Sequence, residues 1–169
     1  MNAAELAAFN ALLGREIAAG EALVTALETE RGALTGSDVE ALKSATLEKE
    51  RLAGEFERLD GDRRRFLERL GFGAAREDMH SLIRAVEDPA YTDVSRRVGP
   101  LAARWRRIVA LIERCQADNQ RNGMIITLQT RRVAQSLNVL RTGRPDALTY
   151  GRAAPAAGLA ATGRALGRV

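Results

Sequence analysis

Apolar residues recur along this chain at alternating spacings of three and four, and the pattern divides it into long helical segments. Leu6, Phe9, Leu13, Ile17, Gly20, Val24, Leu27, Arg31 and Leu34 fall on one face of a helix over about residues 3–34. Glu5, Arg15, Glu16, Glu21 and Glu28 are expected mostly around the rest of it. Thr35-Gly36-Ser37-Asp38 breaks the pattern. Ser37 with Glu40 three residues on has capping-box spacing, which predicts a second helix over about 38–70. Its stripe is Leu42, Thr46, Lys49, Leu52, Phe56, Leu59, Arg63, Phe66 and Leu70, and Gly71 stands where a helix C-terminus favours glycine.

Two helices of similar length joined by so short a turn must fold back antiparallel, and their 3.5-residue spacing predicts a left-handed supercoiled pair. Met79, Leu82, Ile83 and Val86 mark a short helix over about 76–87, which Pro89 follows. Val94, Val98, Leu101, Trp105, Ile108, Ile112, Cys115, Asn119, Asn122, Ile126, Val133, Leu137 and Leu140 then keep one heptad phase. They predict a long helix over about 99–141, with Pro100 in its first turn. The expected fold is all-α: a long antiparallel hairpin packed with a third long helix, forming one helical domain over residues 1–141. Thr142-Gly143-Arg144-Pro145 stops the pattern, and residues 142–169 read as a mobile Ala/Gly/Arg-rich tail in which Leu148-Thr149-Tyr150-Gly151 stands out as a partner anchor.

Within the long stretch, Asp118-Asn119-Gln120-Arg121-Asn122-Gly123 is polar without disturbing the apolar phase. Asn and Gly are poor helix formers, so the block marks either a packed polar contact or a hinge. Lys49, Arg63, Asn119 and Asn122 are polar insertions in apolar seams. Two accounts of the Asn pair stand side by side. In one the residues set helix register at some cost in stability. In the other their amides bond an incoming helix, with Gly123 allowing close approach.

The net charge of +4 is unevenly spread. Residues 1–60 hold 12 acidic and 6 basic side chains, whereas residues 61–169 hold 10 and 20. The asymmetry suits either an acidic or nucleic-acid partner, or attraction between the two halves of the folded chain. Arg104, Arg106, Arg107, Arg114, Arg121, Arg131 and Arg132 decorate the long helix, but Glu113 and Asp118 interrupt them and aromatics for base stacking are scarce. They read as solvated or internally paired, and no nucleic-acid partner is expected.

Little supports catalysis. His80 is the one histidine and reads as a surface or boundary residue, and no metal or cofactor is expected. Cys115, the one cysteine, sits on the apolar stripe and reads as a small core residue. Glu28 with Glu30, and Glu48 with Glu50, point in different directions on a helix and read as solvated. Gly158 to Gly163 has Walker A spacing but lacks its Lys and Ser/Thr. No secretory signal or membrane-length apolar run appears, which suggests a cytoplasmic protein.

Leu101-x-x-Arg104-Trp105-x-x-Ile108, the Asp118-Asn119-Gln120-x-Asn122-Gly123 block, the helix end at Leu137-x-x-Leu140 and the later Tyr150-Gly151 resemble the FlgN-type flagellar export chaperones. Glu30 before the hairpin turn and Lys49 after it are also similar to that family's pattern, and the likeness covers roughly residues 5–151. The resemblance implies a non-enzymatic chaperone for hook-associated (hook–filament junction, FlgK/FlgL-like) proteins. It would bind the C-terminal helical segment of its cargo, prevent premature assembly and deliver the cargo to the flagellar type III export apparatus. The cargo surface it implies comprises Trp105, Ile108, Ile112, Asn119, Asn122, Gly123, Ile126, Val133 and Leu137. On this reading Trp105→Ala and Asn119→Ala weaken cargo binding while leaving helicity near normal. Tyr150 matches the aromatic implied to touch the export gate protein, although Thr149 is inserted beside it and Arg-Ala-Ala-Pro follows Gly151.

Overall fold

The computed structural model describes residues 2–73, 76–86 and 101–142, all in helices or the short connections beside them. Helix α1 spans Ala3–Gly36, α2 Val39–Arg69, α3 Arg76–Val86 and α4 Leu101–Thr142, and no strand occurs among the described residues.

Helix α1 begins with a capping box that the apolar pattern does not reveal. Asn2 Oδ1 accepts from the Glu5 amide at 2.8 Å, and the Asn2 amide donates to Glu5 Oε2 at 2.7 Å. The capping box expected at Ser37 and Glu40 does not form. Ser37 instead ends α1 in the left-handed region (φ 55°), and its neighbour Asp38 caps α2 by accepting from the Ala41 amide at 2.9 Å. Asp38 prevails because Ser37 closes the preceding helix: the amides of Ser37 and Asp38 turn back to the carbonyls of Leu34 and Ala33. At the far end of α2, Gly71 adopts φ +81°. The Phe72 and Gly71 amides donate to the Leu67 and Glu68 carbonyls, a Schellman closure of the kind glycine favours.

Helix α1 lies between the other two long helices. Its pairing with α2 is antiparallel, as shown by Glu16 with Arg63 and Glu30 with Lys49, pairs whose numbers both sum to 79. Its pairing with α4 is parallel, as shown by Glu21 with Arg107 and Glu28 with Arg114, both 86 residues apart. Being covered on two sides, α1 buries more than the expected stripe. Leu12, Ala19, Leu23, Ala26 and Ala33 are buried beside Leu6, Phe9, Leu13, Val24, Leu27 and Leu34. Gly20 sits where both neighbours crowd α1, and a Cβ there would lie 3.1 Å from Phe56 of α2 and 3.2 Å from Leu111 of α4. Phe9 stacks on Phe66 at 4.6 Å, and Met79, Leu82, Ile83 and Val86 of α3 join the same core.

The acidic first half and basic second half meet within the molecule. Arg107 and Arg114 pair with Glu21 and Glu28, one heptad apart on each helix, and Arg31 pairs with Asp118. Of the two explanations for the charge asymmetry, internal attraction has this direct structural expression.

Candidate functional site

Helix α4 has two unlike halves. From Leu101 to Asn122 it is seated on the hairpin, burying Leu101, Trp105, Ile108, Val109, Leu111, Ile112, Cys115, Asp118 and Asn122. Beyond Asn122 none of its residues is buried. The reason is one of length. Helix α1 ends at Gly36, where Gln129 Nε2 donates to the Leu34 carbonyl at 2.5 Å. The remaining turns of α4, on the order of 20 Å at 1.5 Å per residue, run past the bundle.

The polar block does not interrupt the helix, which continues through Gly123. Asn122 is a packed contact: its Nδ2 donates to the Leu27 carbonyl at 2.9 Å and to Glu30 Oε2 at 2.8 Å. Glu30, only 2% exposed, also receives Lys49 Nζ at 2.6 Å and Thr46 Oγ1 at 3.4 Å. The solvated position expected for Glu30 is therefore corrected, because α2 and α4 close over it and supply its donors. A similar layer lies lower in the bundle. There Arg63 donates to buried Glu16 at 3.2 Å and to Asp60, with its guanidinium 4.7 Å from the centre of the Trp105 ring. Each layer joins α1, α2 and α4, so the stripe cations Lys49 and Arg63 satisfy carboxylates that would otherwise be stranded.

Protonation follows from these surroundings. Burial pushes the Glu16 carboxyl above its usual range against the pull of Arg63, and its Oε2 has no partner among the described residues. Burial also opposes ionisation of Asp118, but the hydrogen bonds and charges of Arg31 and Arg121 outweigh it and hold the group below the usual range. Cys115 is pushed up to about 11, first by burial and then by Asp118, and behaves as a small core residue. His80 is exposed, and no cluster of metal-ligating side chains occurs among the described residues.

The nine α4 residues implied as a cargo surface divide accordingly. Trp105, Ile108, Ile112 and Asn122 are buried against the hairpin and closed to an incoming helix in this arrangement. Asn119 is half-buried, while Gly123, Ile126, Val133 and Leu137 are exposed. Tyr150 lies outside the described residues, as do Leu148, Val94, Val98, Pro100 and the Walker-like segment. The seated and projecting residues share one stripe, but only the projecting ones lack a partner helix. Their neighbour Leu140 is 81% exposed. Where the stripe leaves the bundle, a notch of about 350 Å³ opens between the α1–α2 turn and α4, lined by Leu34, Val39, Leu42, Gln129, Arg132 and Val133. The single-stripe reading missed Met124, Leu128 and Val139, which are exposed on α4 as well. Their spacing of four, then eleven, was the available signal.

The described helices thus form a two-helix hairpin with a long third helix that runs parallel to α1 and extends beyond it. The family model for the FlgN protein aligns with residues 1–158. The chain belongs to the FlgN family. Membership places it among chaperones of flagellar synthesis, a family of chaperones rather than enzymes. A crystal structure from Pseudomonas aeruginosa, described as a flagella synthesis protein FlgN, is similar at 27% identity and a TM-score of 0.56, covering 68% of this chain and 83% of that one. No curated protein matches. No described helix is long and apolar enough to cross a membrane.

Proposed function

We propose that this FlgN-family chain is a cytoplasmic chaperone of type III flagellar export. It binds the C-terminal helical region of hook-associated junction proteins, prevents their premature assembly and delivers them to the export apparatus. Residues 1–141 act as one helical domain in this reading. The segment around Tyr150, in the following residues 142–169, supplies the contact to the export gate protein. The observation that carries the reading is the exposed continuation of the α4 stripe through Ile126, Val133, Leu137 and Leu140. Beside the hairpin the same stripe is buried by a neighbouring helix, so past the hairpin it suits an amphipathic helix supplied by a partner. An exposed apolar row of this length on a monomer marks an interaction surface. Covering a Leu or Val side chain fully contributes about 1.5–3 kcal/mol, while the ordering of a cargo segment offsets part of this and keeps binding reversible.

The test is titration of the full chain with a full-length junction protein of the same genome. Val133→Gln with Leu137→Gln is expected to weaken binding at least tenfold while leaving helicity unchanged. Unaltered affinity in that variant would refute the surface. For the gate contact, Tyr150→Ala is expected to leave cargo affinity intact and reduce secretion of the junction protein.

A further inference from the structure

The outward face of α4 changes character where the helix leaves the bundle. Beside the hairpin that face carries Ala103, Arg106, Ala110, Glu113, Arg114, Ala117 and Arg121, all exposed and none a large apolar residue. Past Gly123 it carries Met124, Leu128 and Val139, which are 59%, 56% and 40% exposed, interleaved with exposed Arg131, Arg132 and Gln135. At about 100° per residue these three lie roughly 160–220° around the helix from Ile126, whereas Val133, Leu137 and Leu140 lie within about 40° of it. The projecting half of α4 is thus apolar on two opposite sides. Each of the two apolar rows is a surface that a partner helix could cover, with polar residues between them.

We infer that the partner closes around the projecting half of α4 from both sides, with one helical segment on Ile126, Val133, Leu137 and Leu140 and a second on Met124, Leu128 and Val139. The inference rests on the cargo reading above and specifies its geometry: the cargo contributes two segments, not one. Charge selects the occupant of the outward side. Residues 123–142 contain Arg131, Arg132 and Arg141 and no acidic residue. Arg131 and Arg132 fall on either side of the outward apolar row, so the second segment carries acidic side chains beside its apolar ones. A second copy of this chain is disfavoured there. A two-fold contact through the outward row would bring Arg131 and Arg132 against their own counterparts.

The experiment compares two variants of the full chain, each titrated with the full-length junction protein. One is Val133→Gln with Leu137→Gln, and the other is Met124→Gln with Leu128→Gln. All four positions are exposed and Gln is a good helix former, so circular dichroism is expected to stay unchanged. The inference expects each pair to weaken binding at least tenfold. It also expects Arg131→Gln with Arg132→Gln to flatten the salt dependence of binding. If only the Val133/Leu137 pair weakens binding, the second segment is refuted and the cargo reading stands. If neither pair does, both are refuted. If sedimentation shows the free chain to be a dimer that the Met124/Leu128 pair dissociates, the occupant is a second copy and the inference is overturned.

Discussion

Asn122 reaches across from α4 to place its Nδ2 2.8 Å from Glu30 Oε2, inside the layer that Lys49 completes from α2. One amide thereby fixes the register of α4 against α1, because a shift of one residue would separate it from Glu30 and from the Leu27 carbonyl. Removing it leaves a buried carboxylate short of a donor, a loss of about 1–3 kcal/mol. Asn122→Ala is therefore expected to lower unfolding stability in urea by that amount. Asn119→Ala, at a half-buried position, should stay within about 0.5 kcal/mol of the parent. Equal effects at the two positions would show that the layer does not set register.

Trp105 is 2% exposed with the Arg63 guanidinium over its ring, so truncation removes core rather than cargo surface. Trp105→Ala is expected to cost about 3–5 kcal/mol and to reduce thermal stability and cargo binding together. The expectation that binding would fall with helicity untouched is revised by this burial. A variant that binds weakly but melts like the parent would restore it.

Two glycines on these helices should respond in opposite directions to alanine. At Gly20 an added Cβ meets Phe56 at 3.1 Å and Leu111 at 3.2 Å, so three helices must separate. Overpacking of this kind costs about 1–3 kcal/mol. At Gly123 nothing lies within 4 Å and the backbone is helical, so Gly123→Ala should stabilise by about 1 kcal/mol. Calorimetric melting of the two variants checks both signs. Destabilisation by Gly123→Ala would indicate that α4 bends there.

The fold was legible in the sequence because each long helix keeps its apolar phase for many turns and the hairpin turn is too short for any but an antiparallel return. The buried carboxylates were not. Glu16 and Glu30 look like ordinary surface residues when α1 is considered with one partner, and they become interior only because α4 covers a second side of it. A clue lay in the stripe cations. Lys49 and Arg63 are 14 residues apart, as are Glu16 and Glu30, so antiparallel pairing that satisfies one pair satisfies the other. For the site, one stripe from Trp105 to Leu140 could be read directly, but periodicity does not tell where the neighbouring helix stops. That boundary, which runs from Asn122, the last buried residue of α4, to Gln129 at the Leu34 carbonyl, separates core from candidate surface.

Ser37 takes a left-handed conformation at φ 55° one residue after a glycine that is itself helical. A residue with a Cβ is strained there and glycine is not. Ser37→Gly is expected to stabilise the hairpin by up to about 1 kcal/mol, the looser unfolded chain offsetting part of the relief. An unchanged or lower melting temperature would mean that the serine side chain contributes more to the turn than its backbone strain costs.

Glu16 and Asp118 should give stability profiles of opposite slope. The folded chain holds the Glu16 proton more tightly than the unfolded chain, whose carboxyl titrates near 4.5, chiefly because burial disfavours the charge. As pH rises from about 4.5 through the raised folded value, the unfolded state therefore loses its proton first and stability falls. Glu16→Gln abolishes this, so its stability relative to the parent should rise with pH over that window. Asp118 is the reverse. Burial works against its charge, but Arg31 and Arg121 prevail and hold it below its ordinary 3.8, so its contribution is present above that value and is lost as pH falls through the folded one. Asp118→Asn should thus be most destabilising near neutrality, with the difference from the parent shrinking in acid. Urea unfolding of the parent and both variants from pH 3 to pH 7 checks the two slopes. Difference curves of the same sign would overturn the opposite directions of shift assigned to the two buried acids.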